Sequence, residues 1–460
     1  MQVLKFGGTS VANADCINKA IAIIRRAAQK GRVAAVSSAL GGITDSLIEA
    51  GTLAASGNES YKEKLKYVEK RHFTAIEELL PGEKGENIRN EVKGTLEDLA
   101  KLYYGVFLLK ELSSRTKDSI MSFGELMSTK IVSAKLADMG VEHLWIDSRK
   151  VICTDSTFGT AVVDVEETNK RVRELVTRDT HRLYIFPGFI ASDRNNETTT
   201  LGRGGSDYSA SILAVATEAH SLEIWTDVSG MMTADPRMVK NSKSIPNISY
   251  KEALELSHFG AKVIYPPTIR PVVSKGIPVW IKNTFAPDDH GTLIESYPPV
   301  SDSMVRGLSN SNNIALISLE GSGMIGIPGF SHRMFGALAQ ANINIILITQ
   351  ASSVHTMCIA IEEGDAERAK KFVDTTFVYE ISLGAIEPLK VETGYSIITL
   401  VGDDMKQQCG TSGRMFNALG SGKINIRAIA QGSSEKNVST IVSSSDVKEA
   451  LNIIHKEFFE

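Results

Sequence analysis

Near its start the chain reads Lys5-Phe-Gly-Gly-Thr-Ser10, a cation followed by two glycines and two hydroxyls. The preceding Met1-Gln-Val-Leu4 suits a buried strand, and residues 17–30 have helical spacing that stops at Gly31. Glycines in such a turn let backbone N–H groups face an anion, and phosphate binds well at helix N-termini. The lysine precedes the glycines, so this is not the G-x-x-x-x-G-K-S/T loop. Alone, the segment fits either an ordinary turn or a phosphate-binding loop.

The composition is that of an ordinary globular protein, with 42% hydrophobic and 23% charged residues. A chain of 460 residues is expected to hold more than one domain, because single cores stop growing at about 250–300 residues. The net charge of −4 is too small to indicate a nucleic-acid or membrane partner. Four scattered cysteines and nine scattered histidines show no metal-ligand spacing. Without a signal peptide or membrane-length apolar run, we expect a cytoplasmic protein.

Residues 1–297 alternate strand-like and helix-like runs. This pattern predicts an α/β domain with a mostly parallel open sheet and helices on both faces. From about 60 to 115 the helical spacing is broken only by Pro81-Gly82, which predicts an inserted helical hairpin. The charged residues at 62–71 are interpreted as a solvated face of this hairpin.

The chain after residue 300 contains an internal repeat with a shift of 81 residues and no gap. Arg333-Met-Phe335 aligns with Arg414-Met-Phe416, and Ile343-Asn-Ile345 aligns with Ile424-Asn-Ile426. Each copy reads strand, glycine loop, helix, strand, then a turn that contains a glutamine. We interpret the two copies as ferredoxin-like βαββαβ units.

A second anion-suited loop lies about two hundred residues after the first. Leu201-Gly-Arg-Gly-Gly-Ser-Asp-Tyr208 combines glycines with Arg203, a hydroxyl and Asp207 at the predicted start of a helix. Arginine offers the bidentate fork that a carboxylate binds well. Two such loops in one α/β domain indicate two phosphates, or a phosphate and a carboxylate.

Further polar clusters follow predicted strands or open predicted helices, and ligands of open α/β sheets bind at the carboxyl ends of strands. Residues 37–44 read Ser-Ser-Ala-Leu-Gly-Gly-Ile-Thr, and residues 225–230 read Trp-Thr-Asp-Val-Ser-Gly. Glu125 is predicted at the start of a helix, where a carboxylate either matches the helix dipole or serves as a ligand. Asp235-Pro-Arg237 and Gly260-Ala-Lys-Val263 complete the set.

These motifs resemble those of the aspartate kinases of the amino-acid kinase superfamily, and the likeness covers essentially the whole chain. The tandem tail resembles two ACT domains, the amino-acid-sensing modules of this family. The resemblance is greatest to threonine-sensitive members, including the kinase half of bifunctional aspartate kinase–homoserine dehydrogenases. It implies domains at 1–297, at 312–385, and at 301–311 plus 390–460, because the family threads the first ACT unit into the second.

The resemblance implies transfer of the γ-phosphoryl group of MgATP to the β-carboxylate of L-aspartate. The product, 4-phospho-L-aspartate, opens the biosynthesis of lysine, threonine and methionine. An aspartate side chain has an unperturbed pKa of about 3.9 and is ionised near pH 7, so the reaction needs no general base. Catalysis then depends on positioning and on neutralising charge between two anions. Mg²⁺ is expected on phosphates and water, with no metal site built from the protein.

The resemblance also assigns roles to residues. Lys5 would hold the transferring phosphoryl group, Asp207 would orient Lys5, and Arg203 would clamp the substrate α-carboxylate, which makes these three the predicted catalytic set. Glu125 would meet the substrate α-ammonium group. The predicted ATP contacts are Lys5, Gly7, Gly8, Ser10, Thr226, Asp227, Arg237, Lys262 and Val263. The predicted substrate contacts are Ser38, Thr44, Glu125, Arg203 and Ser206.

The tail predicts feedback inhibition by an amino acid. ACT units usually pair edge to edge and bind an amino acid at the seam, so a homodimer or higher oligomer is expected. Threonine-sensitive members carry a glutamine after the I-N-I segment, and an amide suits a small polar ligand. The predicted allosteric residues are Gln350, Asn344, Gln431 and Asn425, with threonine as the inhibitor. In the alternative interpretation, both glutamines only satisfy backbone groups at strand ends.

Two other functions remain open from the sequence. The first is a kinase for glutamate or N-acetylglutamate, which the double ACT tail argues against. The second is a non-catalytic ACT sensor, which the intact Lys5, Arg203 and Asp207 argue against.

Three positions depart from the family pattern: Met232 stands where tyrosine is common, Asp45 where asparagine is common, and Tyr265 where histidine is common. None of the three is among the residues assigned to chemistry. The sequence leaves open whether the chain is a whole enzyme or half of a bifunctional one, and whether it forms dimers or tetramers.

Overall fold

The computed structural model describes residues 1–258, 264–296, 298–299, 304–321, 329–350 and 356–460. They divide into two compact units. The first unit consists of Met1–Met231, Ser244–Tyr250 and Lys262–Pro298, and the second of Met232–Lys243, Lys251–Ala261 and Pro299–Glu460. In the part of the chain that is described, no helix combines the length and apolar character needed to cross a membrane.

A mostly parallel sheet of eight strands forms the centre of the first unit. The strands of this unit are β1 (Gln2–Phe6), β2 (Val33–Ser37), β3 (Leu144–Trp145), β4 (Cys153–Thr154), β5 (Leu183–Pro187), β6 (Ile190–Asp193), β7 (Thr198–Thr200), β8 (Ser221–Thr226), β9 (Asn247–Ser249), β10 (Val279–Asn283) and β11 (Thr292–Glu295). The sheet order is β3-β5-β2-β1-β8-β10-β11-β9, and its one antiparallel pair is β10 with β11. β4, β6 and β7 form a small separate sheet. The predicted mostly parallel sheet is confirmed.

The helices up to residue 275 belong to the first unit, except that residues 251–258 of the last but one belong to the second unit. They are α1 (Ala14–Lys30), α2 (Ile43–Ala55), α3 (Tyr61–Leu79), α4 (Glu86–Leu109), α5 (Ser114–Asp138), α6 (Val165–Arg178), α7 (Gly205–Ala216), α8 (Tyr250–His258) and α9 (Pro266–Lys275). α3 and α4 are the predicted helical hairpin, and their apolar faces join the core around β1 and β2. α1 begins earlier than its apolar spacing predicts, because the Asn13 side chain accepts a hydrogen bond from the Cys16 N–H and caps the helix.

A buried histidine in the hairpin gives the fold a pH dependence. His72 is 0% exposed, and its Nδ1 lies 2.7 Å from the Val68 carbonyl oxygen. Burial lowers the pKa of His72 to about 4, whereas the unfolded chain protonates this side chain below about pH 6.5. Neutral, buried His72 therefore makes its full contribution to the free energy of unfolding above pH 6.5, and this contribution is lost as the pH falls toward 4.

We expect His72 to lower the free energy of unfolding by about 3 kcal/mol between pH 6.5 and pH 4. A His72→Leu variant removes the titrating group and is expected to show a flatter pH dependence. Urea unfolding at pH 7, 6 and 5 measures the slope, with the exposed His290→Leu as control. Equal slopes in the His72 variant and the parent would contradict this assignment.

The second unit is built on an antiparallel sheet of six strands. Its strands are β12 (Gly307–Glu320), β13 (Leu347–Gln350), β14 (Thr356–Glu362), β15 (Lys390–Val401), β16 (Ala428–Gln431) and β17 (Asn437–Ser443). Its helices after residue 300 are α10 (Phe330–Gln340), α11 (Ala366–Thr376), α12 (Val378–Ser382), α13 (Thr411–Ser421) and α14 (Val447–Phe459). The order β-α-β-β-α thus occurs twice, from β12 and from β15, as the repeat predicts.

The strand β12 serves both copies of the repeat. Its first half, residues 307–311, pairs with residues 397–401 of β15. Its second half, residues 314–320, pairs with β14 of the first copy. The register between β12 and β15 shifts after Ser311, and the sheet order is β13-β14-β12-β15-β17-β16. A small apolar cluster with members from both copies lies on this sheet and includes Leu347 and Ile441.

Candidate active site

Loops from the carboxyl ends of β1, β2 and β5 line one cavity of about 330 Å³ in the first unit. These strands are neighbours in the sheet, so their ends meet at one edge. The helices α5 and α7 complete the walls. The cavity brings together these predicted site residues: Lys5, Gly7, Gly8, Ser38, Thr44, Glu125, Ser206 and Asp207.

Lys5 and Asp207 form an ion pair on the cavity wall. The Nζ of Lys5 lies 2.6 Å from Oδ1 of Asp207, and the two side chains are only 11% and 12% exposed. β1 holds Lys5 between its neighbours β2 and β8. Asp207 lies in the first turn of α7, which Gly204 enters with a φ of +71°. Because an ammonium group has three donors, the pair leaves Lys5 able to bind a further anion in the cavity.

The first glycine of the loop makes room for this lysine. A Cβ on Gly7 would lie 3.3 Å from Nζ of Lys5, closer than ordinary van der Waals contact. The Gly7 N–H donates to the Trp225 carbonyl oxygen at 3.3 Å. The glycine therefore lets the lysine lie along the backbone of the loop at the end of β1.

Two serine hydroxyls join opposite walls of the cavity. Ser38, after β2, donates a 2.9 Å hydrogen bond to the Ser206 Oγ. Ser128 on α5 donates to the Ser38 carbonyl oxygen at 2.8 Å. Gly188 allows the close approach, since a Cβ there would lie 2.8 Å from the Ser206 side chain. This contact brings together Ser38 and Ser206, two predicted substrate contacts that come from distant motifs.

Glu125 is a buried carboxyl group on the cavity wall, with only 3% of its surface exposed. Among the described residues, its Oε2 has no hydrogen-bond partner. Burial raises the pKa of Glu125 to about 8, although a backbone hydrogen bond from Ala39 opposes the shift. A cation entering the cavity would lower this pKa again and stabilise the carboxylate.

The prediction that Glu125 lies at the start of a helix is wrong. It lies in the middle of α5, which begins at Ser114 and is capped by the Ser113 side chain. The early turns of this helix are polar (Ser-Arg-Thr-Lys-Asp-Ser) and carry little apolar periodicity. The helix dipole therefore does not explain this carboxyl group.

Some predicted contacts lie away from the cavity lining. The Ser10 hydroxyl is buried, donates to the Trp225 carbonyl oxygen at 3.1 Å and lies 2.7 Å from the Thr284 Oγ1. The Ser10 hydroxyl therefore stabilises the loop of residues 5–10 through these contacts and does not line the cavity. The Arg203 side chain is exposed, and its guanidinium carbon lies 5.4 Å from the centre of the Tyr265 ring. In this arrangement the arginine stacks on Tyr265 and does not line the cavity.

The predicted nucleotide residues are more scattered. Thr226 ends β8, and its hydroxyl donates to the exposed Asp227 at 3.1 Å. Arg237 belongs to the second unit and pairs with Asp235 at 2.7 Å while 87% exposed. Lys262 and Val263 lie outside the described residues.

The predicted allosteric residues are exposed in the second unit. Gln350 and Gln431 are the last residues of β13 and β16, so the prediction that they lie in the following turn is wrong by one position. Asn344 and Asn425 follow α10 and α13, respectively. In the second copy Ser412 donates a 3.0 Å hydrogen bond to the Gln431 amide oxygen.

Models of known protein families match both the first part of the chain and its tail. The family model described as the amino acid kinase family matches residues 1–283, and that of the ACT domain matches residues 317–377 and 398–458. The chain is 35% identical over 463 residues to the lysine-sensitive aspartokinase 3 of Escherichia coli, covering 100% of this chain and 99% of that protein. The chain belongs to the aspartokinase family.

Solved aspartokinases share the fold. Aspartokinase III of E. coli in complex with aspartate and ADP has a TM-score of 0.83 and 33% identity, with 100% of both chains covered. The chain is also 36% identical to the bifunctional aspartokinase/homoserine dehydrogenase of Haemophilus influenzae, covering 100% of this chain and 56% of that protein. It thus spans about half the length of the bifunctional relatives. The two ACT matches begin 81 residues apart, which confirms the predicted repeat.

Two features of this aspartokinase site escaped the sequence analysis. Phe189 lines the cavity directly after Gly188 and has a φ of +67°; the Pro-Gly-Phe sequence at the end of β5 was the available signal. Arg71 was interpreted as part of a solvated face, and this is wrong. Its guanidinium donates to the carbonyl oxygens of Ala12 at 2.8 Å and Gly41 at 3.2 Å. The inserted hairpin thereby holds a loop that lines the cavity.

Proposed function

We propose that this aspartokinase transfers the γ-phosphoryl group of MgATP to the β-carboxylate of L-aspartate. A carboxylate oxygen attacks the γ-phosphorus, an O–P bond forms, and the bond from that phosphorus to the β-phosphate oxygen breaks to release ADP. The product is 4-phospho-L-aspartate. The observation that carries the proposal is one cavity with a Lys5–Asp207 pair on one wall and, on another, Glu125, whose Oε2 has no hydrogen-bond partner among the described residues.

The charges of the cavity match the two reacting anions. Lys5 would neutralise charge between the aspartate carboxylate and the γ-phosphate, while Asp207 holds its ammonium group in place. Gly7 and Gly8 line the same cavity and would lie against the phosphate end of the nucleotide. Glu125 would bind the substrate α-ammonium group, and the linked Ser38 and Ser206 hydroxyls would hydrogen-bond the substrate.

Arg203 requires a movement in this proposal. It would clamp the α-carboxylate, for which its guanidinium has to leave the ring of Tyr265. A cation–π contact at an exposed site is worth about 0.5–1 kcal/mol, whereas a charge-assisted bidentate pair is stronger. Substrate would therefore draw this side chain toward the cavity.

ATP and Mg²⁺ are the cofactors of the proposal. Within the described ranges, no three His, Cys, Asp or Glu side chains converge as a metal site. In the proposal, Mg²⁺ enters on the nucleotide phosphates and keeps its water ligands. When bound, Mg²⁺ supplies positive charge to the β- and γ-phosphates. Thr226, Asp227 and Arg237 are the described residues proposed to contact the nucleotide.

The direct test of this function is a hydroxylamine-trapping assay with purified chain, MgATP and L-aspartate. We expect an acyl phosphate to be trapped with aspartate at rates well above those with glutamate or N-acetylglutamate. A panel in which glutamate or N-acetylglutamate is the better acceptor would replace this proposal by that of a related kinase. No trapped product with any acceptor would favour a non-catalytic sensor.

The proposal includes feedback inhibition by threonine. The relatives include a lysine-sensitive enzyme, so threonine and lysine are titrated separately into the assay. We expect threonine to inhibit, and a Gln350→Ala variant to need about tenfold more of it, since couplings of this kind span about 5–150-fold. Gln340→Ala, at the end of α10, is the matched control. A Gln350 variant as sensitive as the parent would exclude this contact.

The proposal also covers the oligomeric state and the domain boundaries of the chain. We propose a cytoplasmic homodimer or higher oligomer that associates through its ACT units. The catalytic domain would be residues 1–297, the first ACT unit 312–385, and the second 301–311 plus 390–460. The pairing of residues 307–311 with β15 supports this assignment of the second unit.

A further inference from the structure

Asp118 is a buried carboxyl group that the proposed reaction leaves without a role. It lies on α5, is 0% exposed and does not line the cavity. Its Oδ2 accepts hydrogen bonds from the N–H groups of Gly159, at 2.8 Å, and Thr200, at 2.9 Å. Its Oδ1 accepts from the Thr200 hydroxyl at 2.8 Å. Burial raises the pKa of Asp118, and these hydrogen bonds oppose the shift.

The groups bonded to Asp118 hold the start of the loop that leads into α7, whose first turn carries Ser206 and Asp207. Thr200 ends β7 and is followed directly by residues 201–204, which enter α7. The Thr200 carbonyl oxygen in turn accepts from the Ala161 N–H at 3.0 Å. Gly202 lies against the same segment, because a Cβ there would be 3.3 Å from the Gly159 carbonyl oxygen. Asp118 thus links two backbone segments, one at Gly159 and one at Thr200, just before the chain enters the loop that lines the cavity.

The position of Asp118 on α5 connects this anchor to the cavity. Asp118 and Glu125 are seven residues apart, which is about two helical turns and places them on the same face. On that face Glu125 lines the cavity, while Asp118 accepts a hydrogen bond from Thr200, where the loop of residues 201–204 begins. One rigid helix therefore sets the spacing between the carboxyl group proposed for the substrate ammonium and the loop proposed for its carboxylate end.

We propose that Asp118 is a positioning residue that sets the first turn of α7, which carries Ser206, against Glu125 for aspartate binding. This inference rests on the proposed function, because the substrate is the one assigned there. Asp118 would touch neither substrate nor nucleotide. Its effect would pass through Thr200 to the start of α7, so it would govern the affinity for aspartate more strongly than the affinity for ATP.

The test compares Asp118→Leu with Asp118→Asn in the full chain. Leucine has a similar shape but accepts no hydrogen bond. Asparagine can accept both N–H bonds through its oxygen and donate from its amide nitrogen to the Thr200 hydroxyl. We expect the leucine variant to raise KM for aspartate about tenfold or more, since small misplacements in an active site are costly. The asparagine variant is expected to restore KM to within about threefold of the parent.

Two further variants separate positioning from general loss of stability. Thr200→Val removes the hydroxyl contact alone, so it keeps the test valid if Asp118→Leu does not fold, and it is expected to raise KM for aspartate about threefold. Thr168→Val is the control, because Thr168 is equally buried and bonds Cys153 backbone groups on β4. It is expected to lower the unfolding temperature and leave KM for aspartate unchanged. KM for ATP is measured for every variant.

The outcomes distinguish this inference from the proposed function. A parent chain that does not phosphorylate aspartate would refute the proposed function itself. With an active parent, a rise in KM for aspartate that exceeds any rise in KM for ATP, and that asparagine reverses, supports the positioning role. Unchanged KM in both Asp118→Leu and Thr200→Val, or equal rises in both Michaelis constants, would overturn it.

Discussion

A Lys5→Met variant is expected to lower kcat about 10³-fold while the chain stays folded and still binds aspartate. The ammonium group of Lys5 is the cation on the cavity wall beside Asp207, and methionine keeps most of its length without the charge. Removing one preorganised group that stabilises transition-state charge typically costs 10²–10³-fold in kcat. Because the proposed reaction puts this group between two anions, the expected loss is at the upper end of that range. The hydroxamate assay at saturating aspartate and MgATP measures it.

A second variant separates catalysis from stability. Lys5→Met leaves the carboxylate of Asp207 without its ion pair at 12% exposure, which is expected to cost about 1–3 kcal/mol in the free energy of unfolding. Lys5→Met/Asp207→Asn removes the uncompensated charge and is expected to recover much of that stability but none of the activity. Lys62→Met, on the exposed surface of α3, is the control for loss of a lysine. Full activity in the Lys5 variant would remove Lys5 from the mechanism.

A Glu125→Gln variant is expected to raise KM for aspartate about 100-fold at pH 8.5, with little change in KM for ATP. The carboxylate is the buried anion proposed to meet the α-ammonium group, and losing one partner of a desolvated charge pair costs about 2–5 kcal/mol. Glutamine has nearly the same shape, so the difference reports charge. Glu63→Gln on the exposed face of α3 is the control.

The pH dependence of aspartate binding follows from the same carboxyl group. Burial raises the pKa of Glu125 to about 8 in the free enzyme, so at lower pH the group is protonated and has to release its proton when the ammonium group binds. The affinity for aspartate is therefore expected to rise about tenfold per pH unit between pH 6 and 7.5 and to level off above pH 8. Titration calorimetry in buffers of different ionisation enthalpy measures the released proton. A Glu125→Gln variant with the same pH profile as the parent would contradict the assignment.

The fold could be predicted from the sequence because its signals are repeated along the chain. Short β-rich runs such as residues 183–187 alternate with helical spacing, and the shift of 81 residues in the tail is visible without structure. Periodicity failed where helices are polar, as in the first turns of α5, because residues 114–119 are all polar and show no apolar stripe. It also missed the start of α1, which the cap at Asn13 decides.

The candidate site could be predicted from the sequence where glycines and charges form a motif. It could not be predicted where contacts between distant segments determine the position of a side chain. The loops of Lys5 and Asp207 both carry such a motif, and the structure brings them together. The direction of the Ser10 hydroxyl depends on Thr284, far along the chain. Likewise, the contact of Arg71 with a cavity loop depends on how the hairpin packs. Spacing within a segment carries no information about such partners.

The sharing of β12 between the two ACT copies means that neither copy is a separable module. Residues 307–311 pair with residues 397–401 of the second copy, and residues 314–320 pair with β14 of the first copy while residues 314 and 316–318 also pair with β15. A chain cut near residue 387 would leave each fragment with an open strand edge whose partner lies on the other fragment. The two pieces would have to reassemble by complementation, and transplanting one copy into another protein would break both. The two copies would therefore have to be exchanged together, as one continuous sheet.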